Sequence, residues 1–363
     1  MGAGASISHA NGNFPGISDF FKFAKELNIL EAKGDKNYGE LSNYIERKYT
    51  RSIFNRHHKI DIEKILTLLE VDITSGGRLD YVALREIILR LIVEVIQRQQ
   101  LALKPNDGTY ELFRQRLNRH DLVVSFNWDT LLDRHLAEAT GGDGPALQGS
   151  DQWYSLKRRF IYREESNEPL RYLGRERYSP EFDEPIPDDF EWEASYLKMH
   201  GSVDWACCQN ELCPAKGYTF RILNPLTTYQ CSNCFEPMQT VIVPPVLNKS
   251  LSKIAAIRRI WNFANRCIQA AEELVIWGYS LPPTDFYAEN LLRRTRKKEL
   301  HKVDLVNPEV VYHMHEVRRN RIFIRRFEDV VGLKWGKGLE IYESIEDWIN
   351  GITAGSKYGF ISK

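Results

Sequence analysis

The sequence lacks the features of several specialised protein classes. It contains no low-complexity tract and no apolar run of the about 18 residues that a membrane-spanning helix needs. Its 49 Lys and Arg residues balance its 49 Asp and Glu residues, so no excess charge favours nucleic acid or an anionic membrane as a partner. Hydrophobic residues make up 43% of the 363 positions, enough to bury a large core. The composition therefore predicts a globular protein without a membrane partner.

Cysteine is also scarce, since the chain has six cysteines, four of which are grouped as candidate metal ligands. Grouped thiols in a chain of this size are typical of a reducing compartment, where thiolates stay available for a metal. No secretory signal peptide is recognisable at the start of the sequence. We therefore expect a cytoplasmic location.

Two pairs of cysteines have the spacing of a tetrahedral zinc site. Cys208 and Cys213 are separated by four residues, and Cys231 and Cys234 by two. Each pair can hold the ion from a tight turn while the intervening loop brings the pairs together. Only one of the adjacent Cys207 and Cys208 can share the ion; the tighter spacing favours Cys208, with Cys207 as a packing residue or alternate ligand. Because structural zinc sites are closed, we expect this zinc to support folding.

The part of the chain from about residue 17 to residue 119 has a helical pattern. Its clearest helix follows Asp80, where apolar residues recur at the spacing of one helix face: Leu84, Ile87, Ile88, Leu91, Ile92 and Val95. This region is predicted to form a helical subdomain.

Short β-rich runs follow the helical region, and several of them precede a loop and a helix. We predict strands at 122–126, 274–277, 303–307 and 322–324. Such alternation favours a parallel, doubly wound sheet that binds ligands at the carboxyl ends of its strands. Residues 141–193 are rich in Pro, Glu, Asp, Arg and Tyr; they are predicted to be either an irregular cover over the site or a solvated insertion.

A glycine-rich segment, GAGAS, occupies residues 2–6. Missing side chains would let backbone amides approach a phosphate, although such a loop normally follows a strand and only Met1 precedes this one. The same residues match a loose N-myristoylation pattern. Both interpretations stay open at this point.

Polar residues are concentrated where strands should end. Asn127 and Asp129 follow the first predicted strand, His200 follows an apolar run, and Ser280 follows the 274–277 strand. Strand-terminal loops are where an α/β sheet places its chemistry. The structural alternatives are a helix cap or turn for Asn127 and Asp129, and a packed structural residue for His200.

The order of these features resembles the sirtuin superfamily. That family carries a GAG-x-S loop, an N-x-D segment, an HG dipeptide, two cysteine pairs, a G-x-S loop and a V-N strand end. The matching positions are Gly2, Ala3, Gly4, Ala5 and Ser6, then Asn127 and Asp129, then His200 and Gly201, then the four cysteines Cys208, Cys213, Cys231 and Cys234, then Gly278, Ser280 and Leu281, and lastly Val306 and Asn307.

The resemblance implies an α/β fold: a Rossmann-like doubly wound parallel sheet with an inserted helical module and a small zinc-binding module. The NAD-binding domain would comprise residues 1–16, 119–203 and 241–363. The helical module would comprise 17–118, and the zinc module 204–240.

The resemblance also implies roles for the matching residues. His200 would act as general base on the ribose of NAD, the substrate. Asn127 and Asp129 would hold the nicotinamide carboxamide. The backbone of residues 2–6 would bind the pyrophosphate, and Gly278, Ser280, Leu281 and Asn307 would meet the phosphate and adenosine side.

One departure from the deacylase pattern suggests which sirtuin-like reaction the chain performs. Deacylases carry an F-G-E segment that pairs with an acyl-lysine peptide, whereas this chain has Pro244 and Pro245 at that place, which remove N–H donors. This segment and the sequence at 278–285 resemble bacterial sirtuin-like effectors of anti-phage defence, which hydrolyse NAD to nicotinamide and ADP-ribose. The alternatives are an NAD-dependent lysine deacylase and a non-catalytic NAD or ADP-ribose sensor.

Two basic clusters, at 293–298 and 318–326, raise the question of partners. They could bind nucleic acid, but the first cluster ends a predicted helix, where cations complement the dipole. The resemblance implies instead a homo-oligomer and a separate activating or sensor protein.

Overall fold

The computed structural model describes residues 1–30, 36–53, 59–76, 79–103, 108–117, 121–138, 195–216, 219–222, 224–244, 255–282, 285–297, 300–308 and 317–358. The segment 141–193 lies outside these residues, as do Pro245 and the last residue of the first basic cluster. What was predicted for them is therefore not addressed by the structure.

The described residues form helices and strands in alternation after an initial helical part. The helices are α1 (Ala3–His9), α2 (Phe20–Glu26), α3 (Lys36–Tyr49), α4 (Ile62–Gly76), α5 (Leu79–Ala102), α6 (Thr109–Arg114), α7 (Leu131–Glu138), α8 (Ala255–Cys267), α9 (Phe286–Arg293), α10 (Val317–Val331), α11 (Ile345–Ile349) and α12 (Ala354–Tyr358). The strands are β1 (Leu122–Ser125), β2 (Ser195–Lys198), β3 (Gly201–Cys207), β4 (Thr219–Arg221), β5 (Gln239–Ile242), β6 (Glu273–Trp277), β7 (Lys302–Val306), β8 (Lys334–Trp335) and β9 (Gly338–Tyr342).

The described residues form three sheets, and all strand pairs in two of them are parallel. Strands β1 and β2 pair in parallel, and the larger sheet has the order β6-β7-β9-β8 with parallel pairing throughout. The third sheet, β4-β3-β5, is antiparallel, and the four candidate ligand cysteines lie in the connections between its strands. The prediction of a mixed α/β fold with parallel sheets is confirmed.

Met1 and Gly2 connect the two parallel sheets through backbone hydrogen bonds. The Met1 amino group donates to the Val124 carbonyl at 2.7 Å, and the Phe126 amide donates to the Met1 carbonyl at 3.0 Å. On the other side, the Gly2 amide donates to the Trp277 carbonyl at 3.0 Å. These two residues therefore lie between β1 and β6, and α1 begins immediately afterwards.

The core has two main parts on either side of this junction. One part joins α2 to α6 with β1 and includes Trp277, whose ring packs against Tyr110 and Phe113 of α6 at 5.4 and 5.3 Å. The other part lies under β6, β7 and β9 and is covered by α8, α9 and α10. Both parts contact the strand ends where the candidate site lies.

The strand predicted at 322–324 is wrong, because these residues belong to α10. Three apolar residues in a row cannot distinguish a strand from a helix. The burial of Ile324, Phe327, Val330 and Val331 follows the three-to-four spacing of a helix, with Arg325 exposed between them. The sheet position after β7 is taken instead by β9, which the sequence reading missed.

Candidate functional site

The residues predicted to form the site lie at one edge of the parallel sheets. Ser125 of β1 pairs with Lys198 of β2, and Asn127 and His200 each follow two residues later. Trp277 of β6 pairs with Val306 of β7, and Gly278 and Asn307 come directly after this pair. Because parallel strands end on the same side, the structure brings these side chains to a shared edge.

A buried hydrogen-bond network joins Ser6 of α1 to the segment after β1. The Ser6 hydroxyl donates to Asp129 Oδ2 at 2.7 Å, and Asn127 Nδ2 donates to Ser6 Oγ at 2.9 Å. The Tyr110 hydroxyl of α6 lies 2.8 Å from the same oxygen. Ser6 is fully buried and Asp129 is 5% exposed. Four side chains from three separate parts of the chain therefore meet at one hydroxyl.

This network determines the orientation of the Asn127 amide. The single hydroxyl hydrogen of Ser6 goes to the Asp129 carboxylate, so Ser6 Oγ accepts from both Asn127 and Tyr110. The amide nitrogen of Asn127 must then face Ser6, and its carbonyl oxygen faces away from the network. The network thus fixes the Asn127 side chain with its amide nitrogen towards Ser6 and its carbonyl oxygen on the other side.

Asp129 also has the structural role expected of a polar residue after a strand. Its Oδ1 accepts from the Leu131 amide at 3.0 Å, at the beginning of α7. Burial raises the pKa of this carboxyl, while the positive charge of Lys198 and the Ser6 hydrogen bond oppose the rise. The cap and the network share one carboxylate, since each uses a different oxygen.

A buried ion pair contacts the segment after β1 that carries Asp129. Lys198 Nζ lies 3.2 Å from Asp133 Oδ2 and also donates to the Asp129 carbonyl. The Tyr196 hydroxyl donates to Asp133 Oδ2 at 2.9 Å. The side chains of Lys198 and Asp133 are almost completely buried, so this pair ties β2 to α7 in a place that water does not reach.

His200 lies inside a box of aromatic rings. Its ring is 5.2 Å from Phe126 and 6.2 Å from Trp261, and Phe126 stacks on Tyr279 at 4.7 Å. The Trp261 indole donates to the Met199 carbonyl at 2.8 Å, which fixes that ring. His200 is only 2% exposed, so its imidazole is shielded from bulk water, with the rings of Phe126 and Trp261 against it.

Asp285 is a member of this site that the sequence reading did not assign. His200 Nε2 lies 3.5 Å from Asp285 Oδ2, and the Tyr279 hydroxyl donates to that same oxygen at 2.9 Å. Asp285 is also the N-cap of α9, since its Oδ1 accepts from the Ala288 amide at 3.3 Å. An Asp directly before an amphipathic helix is a recognisable cap signal, but nothing in the sequence links it to His200.

Glycines at the strand ends allow two loops to approach closely. Gly278 has φ +62°, and a Cβ there would lie 2.1 Å from the Ala5 nitrogen. Gly201, with φ +73°, packs against the Val241 carbonyl, which an added Cβ would meet at 2.0 Å. A larger residue at either position would force the backbone apart.

The segment expected to bind pyrophosphate forms the start of α1. Its Gly2, Gly4 and Ala5 amides donate to the carbonyls of Trp277, Gly278 and Gly2. The Gly2 and Gly4 amides therefore connect this segment to the end of β6 and the loop after it, whereas the Ala5 amide bonds within the segment; the glycines make the close contact possible. A phosphate role for this segment stays a prediction.

The other residues predicted to contact the cofactor lie near this junction. Leu281 is fully buried in the second core cluster and has φ +51°, and Ser280 is half-buried. Asn307 is buried, and its backbone N–H donates to the Tyr342 carbonyl at 3.0 Å. The backbone of residues 278–281 thus lies at the carboxyl end of β6, while the Leu281 side chain packs in the core.

The four predicted zinc ligands form a compact cluster. Their sulfur atoms all lie within 4.8 Å of one another, with 3.5 Å between Cys208 and Cys234 and 3.7 Å between Cys213 and Cys231. Zn–S bonds of about 2.3 Å in a tetrahedron place sulfurs about 3.8 Å apart, close to these distances. They are much longer than a disulfide bond of about 2.05 Å. The cluster can therefore hold a metal such as zinc.

The backbone around the cluster has the tight turns that such ligands need. The Phe235 amide donates to the Cys231 carbonyl, and the Ala215 amide donates to the Cys213 sulfur at 3.3 Å. Cys207 takes no part, because it packs in the second core cluster and accepts from Gln209 at 2.8 Å. The choice of Cys208 over Cys207 agrees with this geometry. Cys267 lies in α8 within the same core cluster, as expected for a packing residue.

No protein-family model matches the chain, and no curated protein matches it significantly. Among the described residues, no helix has the length and apolar character that crossing a membrane would require.

Proposed function

We propose that the chain is a sirtuin-like NAD glycohydrolase, which converts NAD and water to nicotinamide, ADP-ribose and a proton. In this proposal the sheets joined through Met1 and Gly2 form a Rossmann-like layer, and the cysteine cluster holds a structural zinc. The resemblance to anti-phage effectors suggests that the reaction depletes NAD in infected cells under the control of a separate activating protein.

One observation carries the proposal. A buried hydrogen-bond network of Ser6, Asn127 and Asp129 and a buried histidine packed against aromatic rings both follow the carboxyl ends of parallel strands. The rings of Phe126, which precedes Asn127, and of His200 are 5.2 Å apart. Ligands of open α/β sheets bind at this edge. Hydrolysis of NAD would use an acceptor that holds the nicotinamide carboxamide and a base that takes a proton from the attacking water.

The orientation of Asn127 suits the leaving group. Its carbonyl oxygen can accept from the carboxamide NH₂ of nicotinamide and hold that group out of the plane of its ring. When the C1′–N bond breaks, the electron pair goes to the pyridinium nitrogen, which becomes neutral. No redox step is involved, so the protein needs only to orient and desolvate the reacting groups.

His200 supplies the base for the second half of the reaction. Water forms the new bond to C1′, and the proton that is lost passes to the imidazole and then to solvent. The aromatic box excludes bulk water, so that the imidazole meets only molecules bound at the edge.

Nicotinamide release from NAD by the purified protein tests this function. We expect release without any acyl-lysine peptide, and a loss of at least about 100-fold in His200→Ala. His301→Ala is a matched control, because that histidine is 62% exposed and distant in sequence from the site. Release only in the presence of an acetyl-lysine peptide would show a deacylase instead, and no release from wild-type protein would contradict the proposal.

A further inference from the structure

Asp285 is held in place by more contacts than helix capping requires. Its Oδ1 caps α9 through the Ala288 amide, and its Oδ2 accepts from Tyr279 while facing His200 Nε2 at 3.5 Å. The residue is 1% exposed. A helix N-terminus favours the ionised carboxylate, and so does each of these donors.

We propose that Asp285 is a positioning residue that holds the His200 imidazole with Nε2–H towards its carboxylate, so that Nδ1 is the atom that accepts the proton during turnover. This inference rests on the proposed NAD hydrolysis for its catalytic meaning. The pairing itself is independent of that reaction.

The tautomer follows from the hydrogen-bonding capacity of the two groups. An ionised carboxylate only accepts, and a neutral imidazole has one N–H and one acceptor nitrogen. With Asp285 beside Nε2, the hydrogen must be on Nε2 and the lone pair on Nδ1. During reaction a water or ribose hydroxyl proton would move to Nδ1, giving an imidazolium whose Nε2–H stays on Asp285, and Nδ1 would then return that proton to solvent.

Among the described residues recorded against the His200 ring, Asp285 is the one with an ionisable carboxylate beside it. Phe126 comes from the end of β1 and Trp261 from α8, and neither side chain carries a charge. Tyr279, after β6, stays protonated, because burial and then the Asp285 charge raise its pKa well above 10.0. An opposite charge 3.5 Å away favours the imidazolium form over the neutral ring.

Asp285→Asn tests the pairing while keeping the helix cap, because Asn is as good an N-cap as Asp. We expect the protonation midpoint of His200 to fall, since the variant loses the negative charge beside the ring. The acid limb of kcat/KM for NAD should shift to lower pH by the same amount, with kcat falling more than KM rises. Tyr279→Phe should shift the pKa of His200 in the opposite direction, because the carboxylate loses a competing donor.

The decisive readout is NMR of ¹⁵N-labelled histidine, with the His200 signals identified by their loss in His200→Ala. Wild type should show the Nε2–H tautomer, and Asp285→Asn a lower midpoint. Ser344→Ala removes the side-chain cap of α11 and should leave the His200 signals unchanged. An unchanged tautomer and midpoint in Asp285→Asn would overturn the inference whether or not NAD is hydrolysed. A shifted His200 midpoint in Asp285→Asn without NAD hydrolysis by wild type would contradict the proposed function and still support the pairing of His200 with Asp285.

Discussion

Replacement of Ser6 by alanine should destabilise the fold far more than the loss of one small hydroxyl suggests. The Cβ atom remains, so packing changes little. The hydroxyl, however, serves three buried partners at once: it donates to Asp129 and accepts from Asn127 and Tyr110. Ser6→Ala therefore leaves a carboxylate oxygen, an amide N–H and a phenolic hydroxyl each short of a partner in a place without bulk water.

The size of the effect follows from those three lost bonds. A bond to a charged group contributes about 1.5–3 kcal/mol and a neutral one about 0.5–1.5 kcal/mol. Some recovery is expected, because the Tyr110 hydroxyl can turn towards Asp129. We expect a net loss of about 2–5 kcal/mol in the free energy of unfolding.

The loss should also depend on pH. Burial already raises the pKa of Asp129, and the Ser6 hydrogen bond is one of the contacts that lower it. In Ser6→Ala that pKa rises further, so the ionised carboxylate becomes more costly to bury. The destabilisation should therefore be largest at neutral pH and should shrink as the pH falls towards the pKa of Asp129.

Urea unfolding of wild type and variant measures the effect, as a lower midpoint with an unchanged slope. The matched control is Ser42→Ala, since Ser42 is 3% exposed and, among the described residues, its side chain makes one hydrogen bond, to Glu46 at 3.2 Å. It should lose about 1 kcal/mol or less. If Ser6→Ala were no more destabilised than this control, the network would not have the importance assigned to it.

Three further changes test other parts of the structure. Cys208→Ser should abolish metal binding, measured as zinc per chain, whereas Cys207→Ser should retain it; equal zinc in both would contradict the ligand assignment. Lys198→Met should lower the free energy of unfolding by about 3–5 kcal/mol because Asp133 stays buried without its cation, and adding Asp133→Asn should recover part of the loss in the same urea assay. Burial, and then the Asp285 charge, hold the pKa of Tyr279 well above 10.0, so the folded protein keeps a proton that the unfolded chain releases. Stability should thus fall above pH 10.0, and Tyr279→Phe should reduce that slope by up to about 1.4 kcal/mol per pH unit.

Local signals in the sequence predicted a good part of the fold. The cysteine spacings indicated the cluster, and the apolar runs before Asn127 and Gly278 indicated β1 and β6, because both depend on residues close together in the chain. The strand wrongly predicted at 322–324 shows the limit of such signals. Only the longer period, which continues to Val331, identifies the helix.

The candidate site was predictable only in part. Asn127, Asp129 and His200 were found because each follows an apolar run, but their partners come from distant elements. Tyr110 reaches Ser6 from 104 positions away, and Trp261 bonds the Met199 carbonyl from 62 positions away. Such contacts leave no local pattern, since tertiary packing alone brings the residues together.

The most direct test of NAD hydrolysis at this edge is a single-turnover experiment with protein in excess over NAD. Nicotinamide and ADP-ribose are quantified in quenched samples from wild type, Asn127→Ala and His200→Ala. We predict equal amounts of the two products from wild type and a rate at least about 100-fold lower in each variant. Intact NAD after incubation with wild type, or unchanged rates in both variants, would contradict the assignment of this edge as the NAD-hydrolysing site.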